Sequence, residues 1–424
     1  MQSSLRKTHY RSNKQIREPQ MSKTEQNIPV HDVAVIGGGP SGLTAAILLA
    51  QAGLSTLIVT PPVNVTDGRT TALWHDSINM MEKAGIWENL KPKTSEISRL
   101  RMIDDTGRLI RAPEVTFESA EIDLEAFGYN ILNKDLNAAL DEKARETENL
   151  IIVHDLADQY DLTESHIQVT TEAGETYRAK LAVAADGRNS KLRDKAEIKI
   201  DRWSYSQVAV VLNLSHDRPH NHVSTEFHKK TGPCALVPLT GRNSSIVCVE
   251  TPEGALRLGE MGDEQLAAEL ERRVHSIYGK LKVTTKRQMF PLAGMMAKTF
   301  AANRVMLIGE TAHVFPPIGA QGLNLSLRDV ASLLEVVSLA ESRGEDIGGA
   351  TAMTAYDKKR QPDIVTRTNA VHALNRSLLS ELLPVQLARS AGLQFASKVS
   401  PFRKLLMKEG VSPRLSGMIP VPFR

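Results

Sequence analysis

Three glycines near the N-terminal end of the chain have the spacing of a turn that holds a dinucleotide. Gly37, Gly39 and Gly42 form a G-x-G-x-x-G pattern, and Pro40 and Ser41 lie between the second and third glycines. Glycine at these positions permits a tight turn and lets a pyrophosphate approach free backbone N–H groups at the start of a helix. The spacing therefore predicts dinucleotide binding, and the alternative is a glycine-rich turn without a ligand.

The residues on both sides of this turn must form the elements that position it. Residues 33–36 are a continuous apolar run, which predicts a buried strand of a parallel sheet. Residues 43–50 place apolar side chains at helical spacing, and residues 57–59 predict a second strand. Thr60 stands where a carboxylate usually binds the ribose hydroxyls, so we expect other groups to hold the adenosine, with Arg69 as one candidate.

A second segment, residues 181–193, also leads from a buried strand into a polar turn. The strand ends before Asp186 and Gly187, and Ser190 is placed to start a short helix. Asp-Gly pairs are common in turns, so on local grounds a functional turn and a plain strand-to-helix connection both remain open.

The third segment carries the most specific pattern. Residues 304–308 predict a buried strand that ends at Gly309 and Glu310, and a loop rich in proline and glycine then opens a helix. A carboxylate suits the hydroxyls of a sugar or sugar alcohol, and the unpaired N–H groups of a helix start favour negative charge. The chemistry-bearing residues of this loop and helix start are His313, Pro317, Gly319, Gln321, Gly322, Leu323 and Asn324.

Together these segments resemble the group A FAD-dependent aromatic monooxygenases, most closely the branch that hydroxylates intermediates of ubiquinone biosynthesis. The resemblance runs from about residue 31 to about residue 410, and Asn133 resembles a family residue that reaches the flavin. The family usually has Asp at the position of Glu310, and the loop order Gly-Ala-Gln-Gly at 319–322 reverses the usual Ala-Gly-Gln-Gly. By this resemblance the FAD-binding residues are Gly37, Gly39, Pro40, Ser41, Gly42, Arg69, Asn133, Asp186, Gly309, Glu310, Pro317, Gly319, Gln321, Gly322, Leu323 and Asn324.

The resemblance also implies the chemistry. FAD is reduced, with NAD(P)H as the expected reductant, and a flavin hydroperoxide passes oxygen to an electron-rich phenolic ring. No side chain is assigned as catalytic with certainty; His313 and Pro317 are the candidates, and we expect His313 to orient the loop or cofactor rather than carry a proton. No metal is predicted, because the histidines between 216 and 228 lack the ligand framework of a metal site and indicate a polar turn.

The predicted fold class is α/β. It combines a Rossmann-like FAD-binding domain, a mainly antiparallel β-sheet substrate domain and C-terminal helices, as in the group A flavin hydroxylases. The predicted divisions are 1–30, a disordered basic extension; 31–91, 126–196 and 296–360, the discontinuous FAD-binding domain; 92–125 and 197–295, the substrate domain; and 361–424, a C-terminal helical region.

Composition limits the class of protein. The 424 residues carry a net charge of +3, are 41% hydrophobic and 24% charged, and contain no apolar run that approaches the roughly 18 residues of a membrane span. Cys234 and Cys248 are predicted to be separate buried thiols, which favours a cytoplasmic setting. The first twenty residues are basic, and either a transit peptide or a translation start at Met21 would account for them.

The partners follow from the resemblance and from the C-terminal region. The substrate is a polyprenylated phenol, other ubiquinone-biosynthesis proteins are candidate partners, and no nucleic acid is expected. Basic residues and leucines accompany each other after residue 376, so this region either covers the flavin domain or docks peripherally on the inner membrane. The basic residues are Arg376, Arg389, Lys398, Arg403, Lys404 and Lys408, and the leucines are Leu378, Leu379, Leu382, Leu383, Leu387 and Leu393.

Three other functions compete with ring hydroxylation. A flavin dehydrogenase or prenyl reductase would use the same cofactor segments without inserting oxygen. A flavin-bearing scaffold of a biosynthetic complex would bind the cofactor without turnover. A flavin halogenase is disfavoured, because Trp74, Trp87 and Trp203 are isolated and do not form the W-x-W-x-I-P signature.

Overall fold

The protein is described from a computed structural model, which covers residues 28–62, 67–108, 111–317, 319–379, 392, 394–395 and 399–411. Residues 1–27 of the predicted basic extension lie outside the described residues. So do residues 380–391, 393, 396–398 and 412–424 of the predicted C-terminal helical region, including five of its residues named above: Leu382, Leu383, Leu387, Arg389 and Leu393. Lys398 also lies outside them.

Twenty strands form two large sheets and one small sheet among the described residues. In chain order they are β1 Val30–Ile36, β2 Thr56–Val59, β3 Thr70–Trp74, β4 Ser95–Ile97, β5 Arg99–Asp104, β6 Val115–Glu118, β7 Gly128–Leu132, β8 Leu150–Val153, β9 Ala157–Leu162, β10 Ile167–Thr171, β11 Thr176–Ala184, β12 Ile200–His216, β13 Val223–His228, β14 Pro233–Leu239, β15 Asn243–Glu250, β16 Leu281–Val283, β17 Gln288–Ala297, β18 Ala301–Ala302, β19 Val305–Leu307 and β20 His313–Val314.

The helices alternate with these strands. In chain order they are α1 Pro40–Gln51, α2 His75–Lys83, α3 Trp87–Leu90, α4 Asn133–Glu146, α5 Lys191–Lys195, α6 Pro252–Glu260, α7 Asp263–Arg273, α8 Gln321–Ser342, α9 Ala350–Leu379 and α10 Ser400–Val411. Short 3₁₀ turns occupy Lys91–Lys93, Ser119–Ile122 and Gly309–Thr311. The C-terminal helical region predicted to begin at residue 361 therefore starts earlier, at Ala350.

The first large sheet is a Rossmann-like layer. Its central strands β19, β11, β1, β2 and β8 are neighbours in that order and all run parallel, whereas β18, β10 and β9 add antiparallel edges. Side chains 33–36, 57–59 and 181–184 are at most 3% exposed, as expected for strands covered on both faces. The predicted strand, turn, helix and second strand around the glycines are confirmed.

The second large sheet has nine strands. It runs β20, β17, β12, β15, β14, β13, β5 and β6, with β16 paired to β12, and its neighbours are antiparallel except for the parallel pair of β13 and β5. Both large sheets are therefore mixed, and the mainly antiparallel prediction holds for the second apart from this one pair.

A small sheet joins the two layers. Strands β3, β7 and β4 form it, and apolar side chains of β3 and β4 meet those of β5, β6 and α10. We call the resulting cluster the apolar wall; it consists of Ala72, Trp74, Ile97, Val115, Phe117, Ile122, Phe127, Met407 and Val411. Val237 and Ala320 lie against it.

The expectation of two separate thiols was wrong. Cys234 on β14 and Cys248 on β15 are directly paired across the two antiparallel strands, their Cα atoms are 4.1 Å apart, and their sulfurs are bonded. Both remain buried, as predicted. The error arose because a separation of 14 residues does not reveal that the two strands form a hairpin, in which opposed residues come this close.

Two of the three motif glycines, Gly37 and Gly42, have no room for a side chain because of neighbouring backbone. Gly37 has a φ of +108°, and a Cβ there would lie 2.4 Å from the Ala185 carbonyl oxygen. A Cβ on Gly42 would lie 2.0 Å from the carbonyl oxygen of Gly37, whereas a Cβ on Gly39 would meet no atom within 4 Å. The turn and the sheet therefore require Gly42, but not Gly39.

Substitution of Gly42 by Ala should destabilise the apoprotein, and substitution of Gly39 by Ala should not. The Gly42→Ala methyl group must displace backbone, so we expect a loss of about 2–3 kcal/mol in the free energy of unfolding, at the upper end of the cost of overpacking. Gly39→Ala should change it by less than about 1 kcal/mol. Urea unfolding of both apoproteins measures the difference, and equal stability of the two would contradict this description of the turn.

Candidate functional site

The three segments singled out in the sequence meet at one edge of the Rossmann-like sheet. Strands β1, β11 and β19 are adjacent and parallel, so their carboxyl ends lie side by side. The N–H of Ala185 donates to the carbonyl of Ile36 at 2.8 Å, and the N–H of Ile308 donates to the carbonyl of Ala184 at 3.0 Å. The crevice outside such strand ends is where ligands bind in open α/β sheets.

The first segment presents an open helix N-terminus at this edge. Helix α1 begins at Pro40, its N-cap Gly39 provides no side-chain cap, and its first turn contains no acidic residue. The free N–H groups and the positive end of the helix dipole favour an anion there. The open space beside Gly39 leaves room for a pyrophosphate to approach the backbone.

Thr60 occupies the place of the missing ribose carboxylate. It is buried, and its hydroxyl donates to the carbonyl of Pro61 at 2.9 Å. A Cβ on Gly38 would lie 2.0 Å from the Thr60 Oγ1, so the two residues are in close contact. The Thr60 hydroxyl is therefore engaged locally.

The middle segment places a half-buried carboxylate close to the first turn. Burial raises the pKa of Asp186, opposed by the hydrogen bond from Ser190, and its Oδ1 has no hydrogen-bond partner. Ser190 also caps α5, because its Oγ accepts from the N–H of Arg193 at 2.9 Å, as the sequence predicted. Asp186 and Ser190 therefore fix the turn between β11 and α5.

Arg193 is a structural tie that the sequence interpretation missed. Its side chain is fully buried and donates to the carbonyl oxygens of Arg188 and Thr311, at 3.2 and 3.1 Å. The hydroxyl of Thr311 in turn accepts from the N–H of Gly187 at 3.1 Å. These bonds fix the middle segment against the third. The signal for them is the burial of an arginine, which the sequence does not show.

The third segment turns at Gly309 and points Glu310 outward. Gly309 has a φ of +65°, and a Cβ there would lie 3.0 Å from the Ser41 Oγ of the first segment. Glu310 is exposed and forms an ion pair with the exposed Arg188 of the middle segment at 3.1 Å. The carboxylate thus lies between the second and third segments, where ribityl hydroxyls would meet it.

A buried carboxylate on α8 holds this turn in place by hydrogen bonds. Asp329 is inaccessible to solvent, and its Oδ2 accepts from the N–H of Gly309 at 2.9 Å and from the His313 Nε2 at 2.7 Å. Its Oδ1 accepts from the Arg360 Nε at 2.7 Å. Burial opposes the charged form, but His313 and Arg360 outweigh it and hold the pKa of Asp329 below its usual value. His313 is itself buried and stacks on Phe315, with 5.1 Å between ring centroids.

The loop that follows opens α8 without a side-chain cap. Gly319 and the N-cap Ala320 have φ values of +65° and +52°, and Gln321 begins the helix. Pro317 and Gly322 are exposed, and a Cβ on Gly322 would meet no atom within 4 Å. The uncapped N–H groups of α8 therefore face open space, like those of α1.

Asn324 uses its side chain inside the protein. Its Nδ2 donates to the carbonyl oxygens of Ala72 and Ala320, at 2.7 and 2.6 Å. Its Oδ1 accepts from the N–H of Trp74 and the hydroxyl of Ser77, at 2.8 and 2.6 Å. It ties α8 to β3 and α2, so a contact with the cofactor would have to use the backbone N–H.

Arg69 and Asn133 are brought together by a residue that the sequence interpretation did not name. Asp67 pairs with Arg69 at 2.7 Å, and its Oδ2 accepts from the Asn133 Nδ2 at 3.1 Å. The Oδ1 of Asn133 accepts from the hydroxyl of Thr71 at 2.7 Å. Burial opposes the charge on Asp67, but the hydrogen bonds from Arg69 outweigh it and lower the pKa of this carboxyl. The Arg69 guanidinium also lies 5.6 Å from the centroid of the Phe290 ring.

The histidines between 216 and 228 are engaged in ordinary hydrogen bonds. The His216 Nδ1 lies 2.7 Å from the carbonyl oxygen of Arg218, and its Nε2 lies 3.0 Å from the Ser244 Oγ. The His220 Nε2 lies 2.9 Å from the carbonyl oxygen of Leu239. Within the described part of the chain, no group of three or more histidine, cysteine or acidic side chains could hold a metal ion.

These features fit FAD. Two uncapped helix N-termini, at α1 and α8, suit the pyrophosphate and the negative charge of a reduced flavin. Open space at Gly39 and Gly322 gives the cofactor access to both, and the exposed carboxylate of Glu310 supplies an acceptor between them. The apolar wall lies against Ala320, beside the start of α8.

Comparison with known proteins identifies a family that binds FAD. Residues 30–369 match the family of FAD binding domains. A ubiquinone hydroxylase of Rhodospirillum rubrum is 30% identical over 92% of this chain and 94% of its own length. The 3-demethoxyubiquinol 3-hydroxylase of Escherichia coli is 26% identical over 89% of this chain and 97% of its own length.

A solved structure shows the same fold. The p-nitrophenol 4-monooxygenase of Pseudomonas putida superimposes with a TM-score of 0.72, at 21% identity, over 91% of this chain and 99% of its own. At that identity the similarity shows only that the two proteins share a fold. The assignment to a family rests on the sequence relatives. The chain belongs to the FAD-dependent hydroxylases of ubiquinone biosynthesis, a branch of the flavin-dependent aromatic monooxygenases.

Proposed function

We propose that the protein hydroxylates the aromatic ring of a polyprenylated phenol intermediate of ubiquinone biosynthesis, using FAD, dioxygen and NAD(P)H. The observation that carries the proposal is the convergence of β1, β11 and β19 on a site that fits FAD, with an apolar wall beside it. The names of two relatives, a ubiquinone hydroxylase and a demethoxyubiquinol hydroxylase, indicate the substrate class. When bound, FAD supplies electron transfer from the reductant and activation of dioxygen.

The residues of the site divide the task of holding the cofactor. The N–H groups of α1 beside Gly39 bind the pyrophosphate, and Gly37 and Gly42 shape the turn that leads to it. Glu310 accepts hydrogen bonds from the ribityl hydroxyls. The N–H groups at Gln321 and Gly322 stabilise the negative charge that the flavin gains on reduction.

The apolar wall forms the substrate side of the site. Trp74, Ile97 and Phe117 are at most 8% exposed, and Val237 of the large sheet lies against them. Apolar side chains beside the flavin exclude water from the place where oxygen is transferred to the phenolic ring. No side-chain base is needed at this position, and His313 acts by holding the loop through Asp329.

Peripheral membrane contact is the second part of the proposal. Helix α10 turns Met407 and Val411 into the apolar wall, while Leu405 and Leu406 are 44% and 42% exposed beside the exposed Lys404. Its orientation is fixed by an ion pair from Arg403 to Glu121. A face of leucine and lysine suits an anionic lipid surface, from which a polyprenyl tail could reach the wall. No helix among the described residues is long and apolar enough to span a bilayer.

Ring hydroxylation should leave a label in the product. Incubation of the FAD-loaded protein with a reductant, a polyprenylated phenol and ¹⁸O₂ should give a product one labelled oxygen heavier, detected by mass spectrometry. A prenyl reductase would consume reductant and reduce the substrate, a dehydrogenase would oxidise the substrate, and both would give an unlabelled product. A scaffold would give no product at all, and either result would contradict the proposal.

Gly39→Ala should weaken FAD binding without unfolding the protein. The added methyl group meets open space in the apoprotein but obstructs the approach of the pyrophosphate, so we expect FAD to bind at least about tenfold more weakly, or about 1.4 kcal/mol. Titration monitored by flavin fluorescence measures the Kd. If the folded variant bound FAD with unchanged affinity, the pyrophosphate would not bind at this turn.

Membrane contact should depend on the exposed leucines of α10. The full-length protein should float with phosphatidylglycerol-containing vesicles at low salt, and the double variant Leu405→Glu/Leu406→Glu should partition about tenfold more weakly, because two apolar side chains no longer enter the lipid. The control is Leu339→Glu, which changes an equally exposed leucine (48%) on α8. Equal flotation of both variants would contradict docking through α10.

A further inference from the structure

A chain of buried charges runs from the third segment through α9 and back to the start of α8. Asp329 accepts from the Arg360 Nε at 2.7 Å, and the Arg360 Nη1 donates to the Asp363 Oδ2 at 2.9 Å. The other oxygen of Asp363 accepts from the Arg367 Nε at 3.1 Å. The Arg367 Nη1 then donates to the Gln321 Oε1 at 2.9 Å. One hydrogen-bonded path therefore joins the carboxylate under Gly309 to the first residue of α8.

The desolvation cost of these buried charges indicates that the path has a role besides stabilising the fold. Asp329, Arg360 and Asp363 are each at most 3% exposed. Burial of such ion pairs carries a desolvation penalty that often cancels their attraction, so apolar residues could hold two helices together equally well. Burial opposes charge on Asp363, but Arg360 and the neighbouring arginines hold its pKa below its usual value, so the path is ionised.

The two ends of the path contact the two parts of the third segment, the turn at Gly309 and the start of α8. At one end, Asp329 holds the N–H of Gly309, which precedes Glu310. At the other end, Arg367 holds Gln321, where the uncapped helix begins. The planar guanidinium of Arg367 is suited to this because it donates to two acceptors in fixed directions, which a lysine ammonium cannot reproduce.

The loop before Gln321 needs such a support. Ala320 has a left-handed conformation at the N-cap, and its carbonyl is held by Asn324 from within the helix. The Gln321 Nε2 donates to the carbonyl of Gly319 at 3.2 Å, within the same exposed loop. Arg367 is therefore the contact that ties the side chain of Gln321 to a separate, well-buried element.

We propose that Arg367 is a positioning residue that fixes Gln321, and through it sets the direction of the α8 N-terminus toward the flavin. The oriented N–H groups stabilise the extra negative charge of the reduced flavin more than the neutral oxidised form. Loss of the tie should weaken this preference and lower the midpoint potential. The inference rests on FAD binding at this site and is independent of the substrate that is hydroxylated.

The test is a double-variant cycle on the FAD-loaded protein, measured as the midpoint potential of the bound flavin without substrate. Arg367→Lys keeps the positive charge but loses the fork, and Gln321→Met keeps the length but loses the acceptor. Each should weaken the preference for reduced over oxidised FAD about tenfold, which is about 30 mV for a two-electron couple. The double variant should show the same shift as either single variant, because both remove one interaction.

Two controls separate this role from general effects. Arg343→Met removes an exposed positive charge at the far end of α8, about 33 Å away by the helix rise, and should leave the potential unchanged. Urea unfolding of the same holoproteins should show that Gln321→Met remains as stable as the unaltered protein, within about 1 kcal/mol. If Arg367→Lys does not retain FAD, the midpoint potential of Gln321→Met alone tests the tie.

The outcomes are decisive in either direction. Equal, non-additive shifts for Arg367→Lys and Gln321→Met support positioning through Gln321. Wild-type potentials in both, or additive shifts in the double variant, would overturn it, as would a loss of stability with no change of potential. Absence of labelled product in the dioxygen experiment would affect the proposed function and leave this result untouched.

Discussion

The parallel pairing of β1, β11 and β19 is the constraint on which the site depends. Because the three strands run in one direction, the turns after Ile36, Ala184 and Leu307 must open at the same edge of the sheet. Segments that are more than a hundred residues apart in the chain thereby become neighbours. The close approach of Gly37 to the backbone of Ala185 follows from that geometry and explains why glycine is required there, whereas the positive φ of Gly309 favours glycine beside Ser41.

The site leaves polar groups without partners in the protein, and a bound cofactor would supply those partners. Helices α1 and α8 leave their N-terminal N–H groups uncapped. The buried acidic residues nearby are paired within the protein, as Asp329 is with His313 and Arg360. The ion pairs therefore lie beneath the site, in the interior of the protein. The free N–H groups of the two helices lie at the surface of the site, where they can bind an anionic dinucleotide.

Much of the fold and part of the site could be predicted from local patterns. The buried strands, the glycine turn and the start of α5 at Ser190 each depend on residues close together in the chain, and the structure has all of them. What could not be predicted depends on pairing between distant elements. The disulfide of Cys234 and Cys248 requires the register of β14 and β15, and the single parallel pair in the large sheet requires the placement of β5. Asp67, Arg193 and Asp329 resemble ordinary polar residues until tertiary structure buries them against the motifs.

The central claim is that one FAD occupies the edge where the three strands end, and its most direct measurement is the stoichiometry of flavin binding to the purified apoprotein. Titration with FAD, followed by visible absorbance after removal of free ligand, should give one flavin per chain with a spectrum perturbed from that of free FAD. A protein that stays colourless at saturating FAD, while circular dichroism shows it folded, would contradict the account.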